Sequence, residues 1–319
     1  MKYIFITILH NMKLNAILNK GFELAPGTRI SNGPDVRSNI LKTDLMMWTA
    51  GVHSVDEFDN TVYYYKIGEF PEIKTKDEMD QKGTAYTFYF LREAQGFVTD
   101  LWFVKDNGIY VRDGFLITYV NKIEEGATFK ASLTETFKAA SGEYGEFVFT
   151  KKEVEAAKQN FEPFSLDDFN LDNMGFKYTN FDHFYKSSNA QRIHKAHYFT
   201  LGARNNSAIP MKIVSYCTAL ECLFSTAKTE INHRIAERVA AMLGTSQEDK
   251  KDLFKFIKKA YDYRSTIVHG SNIKGSEETL APVSIRLDSI LRQLLSGNHE
   301  IFTKSDSEID EFFIELIFN

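Results

Sequence analysis

Cysteine is nearly absent from this chain of 319 residues: Cys217 and Cys222 are the whole complement. They fall five positions apart in what reads as one helix, where they project roughly 140° from each other at about 100° per residue and do not bridge locally. A reducing cytoplasm is the expected compartment. Long apolar runs are missing too. None approaches the roughly 18 residues a membrane helix needs, so the expectation is a protein that neither spans nor enters a bilayer. The segment Tyr3–Leu9 is short and has no small-residue cleavage site behind it, so it reads as a strand and not as a signal peptide. An excess of positive charge is lacking as well. With 38 Lys and Arg against 43 Asp and Glu, the net charge of −5 argues against a nucleic-acid binder that works by bulk electrostatics. Repeats and low-complexity tracts are not visible, and 43% hydrophobic with 25% charged residues is the composition of a globular chain long enough for two domains.

The charge is unevenly spread. Residues 1–180 carry 20 Lys/Arg against 26 Asp/Glu, whereas 181–319 carry 18 against 17, so the acidity belongs to the first half. Six of the eight histidines lie in the second: His183, His194, His197, His233, His269 and His299.

The pattern predicts an α+β chain, with a β-rich mixed domain over 1–165, a linker over 166–182 and an all-α domain over 183–319. Aromatic and β-branched runs at Thr87–Leu91, Val98–Val104 and Ile109–Val120 read as strands. Asp106-Asn107-Gly108, between Leu101–Lys105 and Ile109–Arg112, reads as a hairpin turn, and Gly114 as a bulge. Helices are expected around Ser38–Trp48 and Ser132–Ala140, and a charged one after Lys151. From Arg192 nearly every segment is helical. Arg192–Arg204 comes first, and Pro210 then suits the first turn of the next helix, where its missing N–H costs nothing. That second helix sets Ile213, Cys217, Leu220 and Phe224 in one stripe. A third runs from Glu230 to Leu243 and stops at Gly244. Ser246 with Asp249 resembles a capping box opening a fourth. Shorter helices are expected at Ser284–Leu295 and Ser307–Ile317.

The fourth helix carries a conflict between pattern and residue. Leu253, Ile257, Ala260 and Ile267 form its apolar seam, and the same 4-3-4-3 count lands on Arg264. A guanidinium on a core stripe must be paired or open to a cleft, since burying it alone costs several kcal/mol, and such conflicts gather at functional sites. Five residues later the helix ends at His269-Gly270. An Arg and a His at this spacing are weak evidence alone, because Arg192 with His197 fits it too, and Arg292 with His299 fits a looser form. The setting adds weight. Thr218-Ala219-Leu220-Glu221-Cys222-Leu223, then His233-Arg234-Ile235-Ala236-Glu237-Arg238-Val239-Ala240, then Tyr263-Arg264-Ser265-Thr266-Ile267-Val268-His269-Gly270 occur in that order on consecutive helices.

That series resembles the Apea-like HEPN family of bacterial defence proteins over roughly residues 183–300; the first half resembles no family. The resemblance implies a HEPN helical bundle and a homodimer whose motif helices meet across a twofold axis, each cleft lined by Arg264 and His269 of both copies. It implies an endoribonuclease that uses no metal or other cofactor, in which a 2′-hydroxyl attacks the adjacent phosphate. The substrate would be RNA, with tRNA the first class to test. Used as a toxin in antiviral abortive infection, such an enzyme would have an antitoxin or a phage-derived trigger as a further partner. The β-rich half would then be its sensor or regulator. The residue types suit the chemistry. Imidazole exchanges protons near neutral pH, and a forked, permanent cation stabilises charge on phosphate oxygens. Glu221 is the candidate for orienting Arg264. Ser265 stands where many HEPN enzymes carry Asn, Asp or His, and suits the Apea-like branch. Arg234 and Arg238 are candidates for phosphate contacts.

Each feature has a plainer reading. Arg264 with Glu221 can be an ion pair tying two helices, His269 a helix cap, and Arg234 with Arg238 a solvated face. His194 and His197 have zinc-like spacing but lack further ligands, and Glu230 with His233 is half of a di-iron motif without its twin. The aromatic runs of the first half suit a sheet core better than base stacking. The alternative function is a non-catalytic HEPN dimerisation module that binds a nucleotide, RNA or a partner protein.

Overall fold

The chain begins in a strand, as expected, and that strand becomes the middle of a sheet. The computed structural model describes residues 1–71, 73, 75–169, 192–227, 229–272, 277–297 and 299–318. Its strands are β1 (Lys2–Ile8), β2 (Met12–Leu14), β3 (Phe22–Ala25), β4 (Thr28–Ser31), β5 (Tyr63–Glu69), β6 (Asp113–Tyr119), β7 (Ala127–Ser132) and β8 (Phe147–Phe149). Six of them form an antiparallel sheet in the order β3-β4-β5-β1-β6-β7, and β2 pairs in parallel with β8. Both faces of β1 are buried because helices cover each side. Ile4, Ile6 and Ile8 pack with Tyr63, Tyr65, Phe115 and Ile117 against Leu41, Met46 and Val55 of α1 (Pro34–Leu41), α2 (Asp44–Ala50) and α3 (Val52–Asp56). On the opposite face Tyr3 and Phe5 meet the ring of Phe90 at 5.0 and 5.6 Å.

Phe90 belongs to the largest departure from expectation. Residues read as two strands, Thr87–Leu91 and Val98–Val104, lie in one 29-residue helix, α4 (Lys76–Val104). Thr75 and Glu78 close a capping box at its start. The buried residues Met79, Gly83, Tyr86, Phe90, Ala94, Phe97 and Leu101 then recur every three or four positions, a helical stripe laid on the sheet. Aromatic and β-branched content favoured strands, and tertiary packing overrode it. The expected hairpin is therefore a helix-to-strand connection, in which Asn107 accepts from the Ile109 N–H and donates to the Lys105 carbonyl. Gly114 sits in regular register without a bulge. A Cβ there would come within 2.8 Å of the Phe5 ring, so the position needs an absent side chain rather than a kink. The expected helix at Ser132–Ala140 is likewise replaced by the end of β7 and irregular chain. The charged helix after Lys151 is α5 (Lys151–Lys158).

The chain divides into two units, Met1–Thr136 with Gly145–Tyr178, and Phe137–Tyr144 with Thr179–Asn319. The excursion of Phe137–Tyr144 was not visible in the sequence. It belongs to the helical unit through a Lys138 N–H bond to the Arg204 carbonyl (2.8 Å) and a Ser284 hydroxyl bond to the Ala140 carbonyl (2.6 Å). Residues 170–182 of the expected linker lie outside the described residues.

The second unit contains α6 (Arg192–Asn205), α7 (Ile209–Phe224), α8 (Ile231–Leu243), α9 (Gln247–Val268), α10 (Glu277–Ser296) and α11 (Asp306–Phe318). The stripe Ile213, Cys217, Leu220 and Phe224 is fully buried and makes α7 the centre of the bundle, in contact with α6, α9 and α10. Helix α10 starts seven residues before the expected Ser284. Its internal Pro282 falls near the N-terminus, where one intrahelical bond is lost at most, and Leu280, Val283, Leu287 and Leu291 carry the buried stripe across it.

Candidate functional site

Helix α9 carries the residues that broke the sequence pattern. Ser246 caps it by accepting from the Asp249 N–H. The Asp249 carboxylate accepts from Thr245 instead of completing the expected box. Leu253, Ile257, Ala260 and Tyr261 are its buried face. One turn before Arg264 the helix is laced to α7: the Tyr261 hydroxyl donates to the Cys217 carbonyl at 3.1 Å, and the Cys217 thiol lies 3.9 Å from the Ala260 carbonyl. Tyr261 was not singled out in the sequence, although it sits three residues before Arg264 on the buried side.

Arg264 follows that seam to its edge. Its Nη2 lies 3.4 Å from Oε1 of Glu221, with the two side chains 33% and 24% exposed, so the structure joins these two predicted residues. The Arg264 Nε is buried and has no hydrogen-bond acceptor among the described residues. Burial raises the Glu221 carboxyl above its ordinary value, opposed by the Arg264 charge and the Tyr261 hydroxyl.

The end of α9 is set by Gly270, whose φ of +67° closes a Schellman turn. Its N–H bonds to Ile267 at 3.1 Å and that of Ser271 to Thr266 at 3.0 Å. His269 is thereby the capping residue, with its side chain exposed. Arg264 and His269 share one helix end but project roughly 140° apart at about 100° per residue, so one copy does not converge them on a common point. Ser265 is exposed.

The other Arg/His matches have internal employment. Arg192 donates from Nη1 to the carbonyls of Cys222 (3.1 Å), Leu223 (3.4 Å) and Ser225 (2.8 Å), capping the C-terminus of α7, and pairs with Asp306. Its companion His197 is largely buried, which, with the Arg204 and His194 charges, lowers its pKa to about 4. Arg292 pairs at 2.7 Å with the fully buried Asp288, which also accepts from Tyr216.

The pair on α8 divides. Arg234 is half-buried. Arg238 is 6% exposed and donates to the Phe224 carbonyl at 2.6 Å, to Thr226 and to Asp310, with its guanidinium over the Phe313 ring. Neither a solvated face nor a phosphate contact describes Arg238. It ties α8 to the end of α7 and to α11, and Asp310, too distant in sequence to suggest the pairing, is the residue that made this illegible. Both cysteines are free thiols. Among the described residues no cluster of three or more His, Cys, Asp or Glu side chains could hold a metal, and no helix is long and apolar enough to cross a membrane. Comparison with protein-family models, curated proteins and solved structures gives no match.

Proposed function

We propose that the helical unit is an endoribonuclease of the HEPN type, acting as a homodimer and without metal or other cofactor, and that the chain is an RNA-cleaving toxin of bacterial antiviral defence. The observation that carries this reading is the contrast among the three Arg/His pairs. Arg192 and Arg292 are consumed by internal bonds. Among the described residues Arg264 makes one ion-pair contact, at 3.4 Å, and keeps an Nε without an acceptor, and it precedes an exposed histidine on the same helix end. A buried donor left unpaired costs about 1–3 kcal/mol, which a site that receives an anion would repay on binding.

In the proposed reaction the 2′-oxygen attacks the adjacent phosphorus as its proton passes to one His269 imidazole. The bond from phosphorus to the 5′-oxygen breaks, and the departing oxygen takes a proton from the His269 of the second copy. The products end in a 2′,3′-cyclic phosphate and a 5′-hydroxyl. Arg264 stabilises the charge gathering on the phosphate oxygens, and Glu221 holds the guanidinium in place. The exposed Ser265 hydroxyl and Arg234 are supporting polar contacts. Two copies are required because Arg264 and His269 diverge on one helix.

A second reading has its own support. The lacing of Tyr261 to Cys217, continued by Arg264 with Glu221, is what a structural strut between α7 and α9 would look like, and it suits a non-catalytic dimerising module. Incubating the purified protein with total tRNA in EDTA separates the two. Cleavage to cyclic-phosphate ends is the expected result, and RNA left intact both in EDTA and with divalent ions would favour the strut.

A further inference from the structure

We propose that the solvent face of α9 is a binding track for single-stranded RNA, in which Lys251, Lys255 and Lys259 hold successive phosphates and Tyr263 offers a ring for a base. The destination of the strand, the Arg264 and His269 end of the helix, rests on the nuclease reading; binding along the track does not.

Three features set this face apart from an ordinary solvated one. Lys251, Lys255 and Lys259 recur every four residues and are all exposed, which aligns them along one side of the helix with a rise of about 6 Å between neighbours. Like charges four apart oppose helix formation, whereas a glutamate four residues ahead of a lysine would favour it. Glu248, Asp252 and Asp262 each lie three residues from one of these lysines, and among the described residues none of the three carboxylates pairs with a lysine. Moreover, among the described residues none of these lysines is in an ion pair, although the chain as a whole is acidic. Two of the four acids of α9, Asp249 and Asp252, are engaged elsewhere. Glu248 and Asp249 lie in its first turn, where the helix dipole favours them, and Asp252 pairs with Arg286. Glu248 and Asp262, both exposed, remain on the outer side near the lysines.

The row ends in an aromatic ring. Lys259 Nζ lies 5.8 Å from the centre of the half-buried Tyr263 ring, one turn further along the same line. Cations beside an aromatic ring are the parts from which sequence-tolerant single-strand sites are built, with phosphates on the cations and a base stacked on the ring. A membrane is a poor match, because the apolar side of α9 is already buried in the bundle.

The test uses the full chain and a fluorescein-labelled 2′-O-methyl oligoribonucleotide, which the proposed chemistry cannot cleave, so binding is read with the Arg264 and His269 site intact. Lys251→Gln/Lys255→Gln/Lys259→Gln together remove three charges at little cost in helix propensity. Anisotropy titrations across a salt series should show the slope of log K against log salt reduced in magnitude by about 2, at about 0.7 per phosphate contact on a single strand. Asp262→Asn should tighten binding, and Lys151→Gln/Lys152→Gln, in exposed positions of the other unit, should leave it unchanged. Circular dichroism confirms that the variants are folded. An unchanged slope in the triple variant, or no binding by wild type, would overturn the track. Polyglutamate competing as well as RNA would do so too, and would indicate an acidic protein partner. Cleavage of ordinary RNA, measured separately, decides the nuclease reading: cutting that persists with an unchanged slope would leave the nuclease standing without the track.

Discussion

Arg264→Ala distinguishes a guanidinium kept for chemistry from one kept for the fold. Arg264 and Glu221 meet at 3.4 Å with side chains 33% and 24% exposed. An ion pair this open contributes about 0–1 kcal/mol, whereas breaking a fully buried one costs about 3–5. Loss of the packed stem of Arg264 costs roughly 1–2 kcal/mol more. Deletion of a buried Nε that has no acceptor among the described residues acts the other way, by about 1–3 kcal/mol. The balance lies near zero, within about 2 kcal/mol, so the melting temperature should move by no more than about 8 °C. Cleavage should fall much further, by about 10²–10³-fold, the usual cost of removing one electrostatic donor. Urea denaturation of Arg264→Ala, Glu221→Ala and the double variant gives the coupling energy, expected at about 0–1 kcal/mol. Initial rates on tRNA in EDTA give the second quantity. A coupling of about 3 kcal/mol or more, with residual activity tracking the folded fraction, would refute the catalytic assignment and make the pair a strut.

Light scattering after size exclusion should return twice 36.6 kDa, and a strict monomer at micromolar concentration would count against a shared cleft. Stability should depend on pH through His197. Its pKa in the fold is lowered to about 4, so the unfolded chain binds the extra proton between about 4 and 6.5, and stability is lost as pH falls through that window, by up to about 3 kcal/mol. Denaturation of His197→Gln should give a flatter profile there, and an unchanged profile would mean that another group titrates. Expression of the wild type should slow bacterial growth and Arg264→Ala should relieve it at equal soluble protein; equal toxicity of both would remove Arg264 from the proposed mechanism.

The helical unit was legible because its signals are local. The stripe on α7, Pro210 in its first turn, Ser246 and Gly270 each act within a few residues, and helices appear where these place them. Arg264 was found for the same reason, as a charge on an otherwise apolar count. In the first unit the signals compete. Thr87, Phe90 and Val98 favour strands in isolation, but their spacing serves one face of α4, and only the sheet beneath explains why that face is aromatic. The same helix hides an ionic cluster: Glu93, fully buried, accepts from Lys66 at 2.6 Å and from Tyr64, two residues of β5. Arg238 was misread because its partners Phe224 and Asp310 lie 14 and 72 residues away. Side chains whose role is set by distant segments show no period, and sequence pattern does not assign them.

The most direct test of the proposed chemistry is the single-turnover cleavage rate on tRNA in EDTA for wild type, His269→Ala and the exposed His194→Ala. General acid–base help is worth about 10²–10⁴-fold, so His269→Ala should cut at least about 10²-fold more slowly, with His194→Ala at the wild-type rate and products ending in a 2′,3′-cyclic phosphate. Cleavage that survives His269→Ala, or that is lost in EDTA and restored by a divalent ion, would contradict the account.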